Sequence, residues 1–212
     1  MTSRYDTTGN VEAEFQPGSD GRVLVNKLGV SDLDEMDDIE LDLLNRLHEY
    51  VVDSFRADQR ITIADLREWH RRWLGNVYVW AGRYRTFNLG KGEFQFAASH
   101  RIPKLMDDLD TRVLPLHTPC SGFSEDQLSE AIAVVHVELI LIHPFREGNG
   151  RLSRLLANVM ALQAGWPELD YTTWDKSKNE YFSAIQAGMS DYEPMKGLVR
   201  RVLRETVGSA DG

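Results

Sequence analysis

Twelve consecutive residues carry the densest chemistry in the chain: His143-Pro144-Phe145-Arg146-Glu147-Gly148-Asn149-Gly150-Arg151-Leu152-Ser153-Arg154. The glycine-flanked turn separates an apolar stretch from a second periodic one, so it should open a new helix. The first N–H groups of a helix lack acceptors within it and the helix dipole is positive there, which makes Gly148 to Arg151 an expected anion cradle. Glycines at 148 and 150 are expected to let phosphate oxygens reach the backbone where a Cβ would obstruct them. Arg151 and Arg154 lie on neighbouring faces of the first turn, and each guanidinium can grip phosphate in bidentate fashion. Asn149 offers a neutral amide to a phosphate oxygen. Glu147 is a hard oxygen ligand beside the cradle, suited to Mg²⁺ on nucleotide phosphates, which commonly takes only one or two protein carboxylates. A neutral imidazole at His143 can take the proton from an attacking hydroxyl. In-line attack on phosphorus then needs mainly positioning and electrostatic stabilisation.

This segment resembles the signature of the Fic family, His-Pro-Phe-x-(Asp/Glu)-Gly-Asn-Gly-Arg-x-x-Arg, and matches it at every fixed position. Tyr78-Val79-Trp80-Ala81-Gly82 and the stretch from Arg83 to Ala97 are similar to the family's target-docking flap, with Lys91, Gly92, Glu93 and Phe94 at its tip. The resemblance spans residues 62 to 200, and 1–22 and 23–207 divide into an N-terminal arm and a Fic domain. It implies a mainly α fold, a helical bundle with one β-hairpin flap. It also implies a protein adenylyltransferase that moves AMP from ATP to a serine, threonine or tyrosine hydroxyl of a target protein and releases pyrophosphate. By the same resemblance His143 is the general base and Glu147 binds Mg²⁺ at the inner phosphates. Asn149 and the backbone from Gly148 to Arg151 hold the transferred phosphate, Arg151 and Arg154 contact the outer phosphates, and Phe145 is a core anchor. Doc-like relatives, which phosphorylate their targets, carry lysine where this chain has Gly150, so AMP transfer is favoured. Two other readings compete: the same pocket with another nucleotide or a phosphocholine donor, and a non-catalytic nucleotide-binding module. Intact His143, Glu147 and Arg151 argue against the module.

Many Fic proteins are restrained by a helix bearing Ser/Thr-x-x-x-Glu-Gly/Asn, whose glutamate pairs with the last arginine of the signature. Thr8 to Glu12 and Ser31 to Glu35 match its first half only, Gly9 weakens the first as a helix, and the tail from Arg204 lacks it. The alternative is a toxin and antitoxin pair, in which a separate small protein carries the motif.

The elements that must position these residues are helical. Apolar residues recur at helical spacing from Asp32 to Arg56 and from Thr62 to Trp80, with Thr62 as an N-cap. Alternation around Gly90-Lys91-Gly92 predicts a hairpin over 83–97. Residues 100–115 return to helical spacing, and Pro115 to Gly122 reads as a loop. Ser124 and Gln127 form a capping box that starts a helix apolar nearly all round, the expected central helix of the domain. Two more helices are expected over Lys176 to Gly188 and Tyr192 to Val207.

With 212 residues and 42% apolar content the chain can bury a core as one domain. A net charge of −9 argues against a broad surface for nucleic acid or anionic membrane. The single cysteine, Cys120, excludes an internal disulfide, and neither a signal peptide nor a membrane span is expected. A cytoplasmic location follows as the expectation, with export into a host by dedicated machinery left open. His70 and His136 read as hydrogen-bonded core histidines, Lys91 as a turn residue, Trp69, Trp73 and Trp80 as core, and Asp107, Asp108 and Asp110 as a solvated face.

Overall fold

The apolar stretch after Ser124 becomes the axis of the structure, a computed structural model that describes residues 12–92 and 94–210. Ser124 Oγ accepts from the Gln127 N–H and Gln127 Oε1 accepts from the Ser124 N–H, and this capping box opens helix α5, Glu125–Ile142. The helix can be apolar on nearly all sides because neighbours cover it. Chief among them are α6 (Asn149–Gln163) and α9 (Glu193–Ala210).

Helix α1 (Leu33–Ser54) starts at Asp32, whose Oδ1 accepts from the Glu35 N–H, and turns Met36, Leu47 and Val51 inward. It packs against α2 (Ile63–Leu74), capped by Thr62 and Asp65 together. Asp110 is not merely solvated: its Oδ1 accepts from the Ile63 N–H at 2.9 Å, adding a second cap. The periodicity predicts a longer α2, running to Trp80. The helix instead ends at Gly75, where the Leu74 carbonyl accepts from both Val77 and Tyr78 N–H groups, and Val77, Tyr78 and Trp80 stay buried in turns.

The hairpin is also shorter than its alternation suggests. Strands β1 (Gly90–Lys91) and β2 (Phe94–Gln95) pair Gly90 with Gln95 and Lys91 with Phe94, and Gly92 turns between them at φ 61°. A continuous helical run follows, from a 3₁₀ turn (Ser99–Arg101) through α3 (Ile102–Asp108) and a π turn (Leu109–Val113) to α4 (Leu114–His117). The loop expected from Pro115 therefore begins only after His117, because Pro115 sits in the first turn of α4, where its missing N–H is not needed. The helix expected over Lys176 to Gly188 is α8 (Lys178–Ala187), and a short α7 (Thr172–Lys176) precedes it.

Before α1 the chain doubles back, with Phe15 bridging Leu24 and with Ser19, Val23 and Leu24 buried. The architecture is mainly α with one two-stranded hairpin, as the sequence implies. Among the described residues no helix is long and apolar enough to cross a membrane.

Candidate active site

Helix α5 stops at His143, which adopts left-handed backbone at φ 50° and ψ 60° while its N–H donates to the Leu139 carbonyl at 3.0 Å. That region is costly for a residue with a Cβ, so surrounding contacts must hold it. Asn149, 2% exposed, closes the loop that follows: Phe145 N–H donates to its Oδ1 and its Nδ2 donates to Phe145 O, both at 2.9 Å. Oδ1 and one of the two Nδ2 hydrogens are thereby engaged with Phe145. Gly148 has φ 82°, and a Cβ there would lie 2.5 Å from the Trp73 ring, so close packing of the loop on α2 also requires glycine. At Gly150 nothing lies within 4 Å of the Cβ position.

His70 fastens the back of the loop to α2. Its Nδ1 accepts from the Gly82 N–H at 2.8 Å, so Nε2 carries the proton and donates to the Glu147 carbonyl at 3.0 Å. Its ring stacks on Phe145 at 4.0 Å, and burial lowers its pKa to about 4. This is the core histidine that the sequence suggests, with a positioning duty added.

On the front a cleft of about 500 Å³ is lined by His143, Arg146, Glu147, Gly150, Arg151 and Arg154, faced by Leu89, Gly90, Lys91 and Phe96 of the hairpin region. Ile140, Tyr181 and Phe182 complete it. The His143 ring stacks on Phe96 at 3.8 Å, and Nδ1–H donates weakly to the Ile140 carbonyl at 3.4 Å, which leaves the lone pair on Nε2. Burial lowers its pKa to about 4; the nearby Arg85, Lys91 and Arg146 cations act the same way and the Ile140 carbonyl opposes them. The imidazole is neutral at pH 7.

The two arginines, expected to contact the outer phosphates, each rest on a carboxylate here. Arg151 Nη2 lies 2.9 Å from Glu40 Oε2 and 3.6 Å from Glu147 Oε1, with its guanidinium 4.5 Å over the Trp73 ring. Glu40 is buried on α1 and its Oε1 accepts from the Tyr78 hydroxyl at 2.7 Å. Arg154 grips Asp175 with both terminal nitrogens, at 2.7 and 3.2 Å, and lies over Tyr171. Glu147 is half-exposed and its Oε1 accepts from the Gly148 N–H at 3.0 Å. Among the described residues no cluster of three His, Cys, Asp or Glu forms a ready metal site. One exposed carboxylate suits Mg²⁺ that is held mainly by nucleotide phosphates and water.

At the hairpin, Lys91 lines the cleft rather than serving as a plain turn residue, its Nζ 3.9 Å over the Phe182 ring. Phe94 meets Phe96 edge-on at 5.5 Å, Gly92 makes the turn, and Glu93 lies outside the described residues. Of the two partial inhibitory motifs, residues 8 to 11 also lie outside them. The Glu12 carboxylate accepts from the Thr86 N–H at 3.0 Å, and Glu35 is exposed in the first turn of α1.

Residues 60–161 match the family model described as Fic/DOC family. The chain carries a Fic/DOC domain. The protein adenylyltransferase Fic of Nematostella vectensis is 31% identical over 156 residues, 72% of this chain and 34% of that protein. The chain spans about a third of the length of three curated relatives it matches, 34%, 29% and 29% of them. The N-terminal Fic domain of a VirB-translocated effector from Bartonella sp. AR 15-3 superposes with a TM-score of 0.76 at 19% identity, covering 95% of this chain and 94% of that one. The BepC protein of Bartonella tribocorum, solved with bound AMPPNP, gives a TM-score of 0.67 at 22% identity, covering 84% and 91%. At such identities the likeness is one of fold.

The matched span of the Fic/DOC domain holds α2, the hairpin, α5 and most of α6, yet residues outside it also meet its signature side chains or line its cleft, among them Glu12, Glu40, Tyr171, Asp175, Tyr181 and Phe182. Glu40 had a signal in the sequence, a charge set among Met36, Leu47 and Val51 on an apolar stripe. Asp175 had none, because its partner lies 21 residues away across a turn.

Proposed function

We propose that this chain is a protein adenylyltransferase, with ATP as donor and a serine, threonine or tyrosine hydroxyl of another protein as acceptor. One observation carries the reading: a neutral imidazole with an uncommitted Nε2, the start of α6 at Gly150 and two arginines line a single cleft. Relatives bearing the name adenylyltransferase, and a structural neighbour with a bound ATP analogue, support the donor.

In this reading Nε2 of His143 takes the proton of the target hydroxyl, whose oxygen attacks the α-phosphorus. The bond from that phosphorus to the bridging oxygen breaks, and its electron pair leaves with pyrophosphate. The N–H groups at the start of α6 face charge gathering on the transferred phosphoryl, and Arg151 and Arg154 balance the leaving group. Glu147 would hold Mg²⁺, which when bound neutralises phosphate charge. Glu40 and Asp175 must share or yield their arginines when phosphate arrives, and of the two the half-exposed Asp175 yields at lower cost. The exposed backbone edge at Gly90 and Lys91 would receive an extended target segment. Restraint by a small antitoxin in trans completes the reading, supported by an Arg154 that holds Asp175 rather than a helical glutamate of the inhibitory motif.

Mass spectrometry of proteins co-expressed with the chain tests this. AMP adducts on hydroxyl side chains with the wild type, absent with His143→Ala, are expected. Their absence with folded wild-type protein and ATP would sink the proposal.

A further inference from the structure

Arg85 is 2% exposed, and a guanidinium so placed is costly unless its N–H groups are matched. Its matches are carbonyls. Nε donates to His143 O at 2.7 Å, Nη1 to Phe87 O at 2.6 Å, and Nη2 to Ala97 O at 2.6 Å and to Ile142 O at 3.3 Å. Its backbone N–H adds Pro144 O at 2.8 Å.

Ile142, His143 and Pro144 are consecutive, and two of them supply carbonyls from the end of α5, where the helix dipole is negative and acceptors lack intrahelical donors. Phe87 and Ala97 stand on the two legs of the hairpin, one before β1 and one after β2. A single planar fork therefore spans three places: the residue at which His143 leaves the helix with positive φ, and both legs of the segment that carries Phe96 against the imidazole. Lysine would bring one nitrogen and no fork.

We propose that Arg85 is a positioning residue for the transfer reaction, locking the left-handed turn at His143 to both legs of the hairpin so that imidazole and target-docking edge are held as one unit. This rests on His143 being the general base. Arg151, Arg154 and the start of α6 lie beyond a loop that Asn149 and His70 hold independently. Loss of Arg85 should therefore slow the chemical step while leaving ATP binding largely intact.

The test compares Arg85→Lys, Arg85→Gln and His143→Ala by transfer of α-labelled ATP, with thermal melting in parallel. Arg85→Lys is expected to lower kcat about 10- to 100-fold, as a misplaced catalytic group does, with KM for ATP within about threefold. The charges facing His143 are Arg85, Lys91 and Arg146, with the Ile140 carbonyl opposing them. Arg85→Gln removes one of those cations, so the acid limb of its kcat/KM profile should move to higher pH, and Arg85→Lys should leave the limb in place. Wild-type kcat in Arg85→Lys overturns the proposal. Arginine-selective NMR of the wild type covers the case in which neither variant folds: the Arg85 Nε–H should exchange slowly and its guanidinium should rotate slowly, and free rotation with fast exchange overturns the proposal too. An active His143→Ala would refute the base itself, whereas an inactive His143→Ala beside a fully active Arg85→Lys refutes only the role of Arg85.

Discussion

His70 and His143 flank the same loop, one behind it and one in front, and burial drives both to a pKa of about 4. Their basicity does not tell them apart. At the back, both nitrogens of His70 are committed to backbone groups of Gly82 and Glu147. At the front, His143 has one weak 3.4 Å bond and a stacked face, and a lone pair remains. The same contrast divides the signature itself. Phe145, Gly148 and Asn149 build the turn against α2, while His143, Gly150, Arg151 and Arg154 line the cleft. Within one motif, what a side chain already touches separates framework from chemistry.

Substitutions on the two sides should therefore fail in different ways. His143→Ala should cut transfer by about 10²- to 10⁴-fold, the usual worth of a general base, with little change in melting temperature. His70→Ala should show the reverse pattern, losing about 2 to 4 kcal/mol from two hydrogen bonds and a stacked ring, read by denaturant melts. If both variants stayed stable and inactive, the division would collapse.

Gly148→Ala forces a Cβ against Trp73 at 2.5 Å in a left-handed backbone, and about 1 to 3 kcal/mol of stability should go with it. Gly150→Ala, with nothing within 4 Å of the new methyl, should fold normally and raise KM for ATP instead.

A pH series sharpens the comparison. With a base whose pKa is about 4 in the free protein, kcat/KM should stay flat from pH 8 to about 5 and fall below that as His143 takes up a proton. His70 reports on stability. An unfolded histidine protonates below about 6.5, whereas His70 in the folded chain resists until about 4. Its contribution is then complete above the unfolded pKa and is lost as pH falls through that window. The slope of stability against pH between the two values should be shallower in His70→Ala.

Asp175→Asn should have the smallest effect. The pair it breaks is part exposed and worth about 0.2 to 1 kcal/mol, so releasing Arg154 should lower KM for ATP by no more than about fivefold. An unchanged KM would mean that Arg154 does not meet phosphate.

The central helix, its capping box at Ser124 and the loop after it were legible because their signals are local: a cap, an apolar run, two glycines. The packing contacts of Asn149 and Gly148 were not, because each has a partner, Phe145 or Trp73, whose approach only the folded loop reveals. The length of α2 was misjudged for a related reason. Burial of Val77 and Trp80 in turns keeps the apolar pattern going after the helix has ended. Arg85 sits in a polar, aromatic stretch with no periodic signal, and its bonds to Ile142, His143 and Pro144 reach far along the chain.

Formation of a phosphate ester at the α-phosphorus by an oxygen deprotonated at His143 is tested most directly by pairing α-labelled with γ-labelled ATP, for wild type and His143→Ala. Label from the α position alone should remain on protein, and only with the wild type. Retention of γ label, or of α label with His143→Ala, would contradict it.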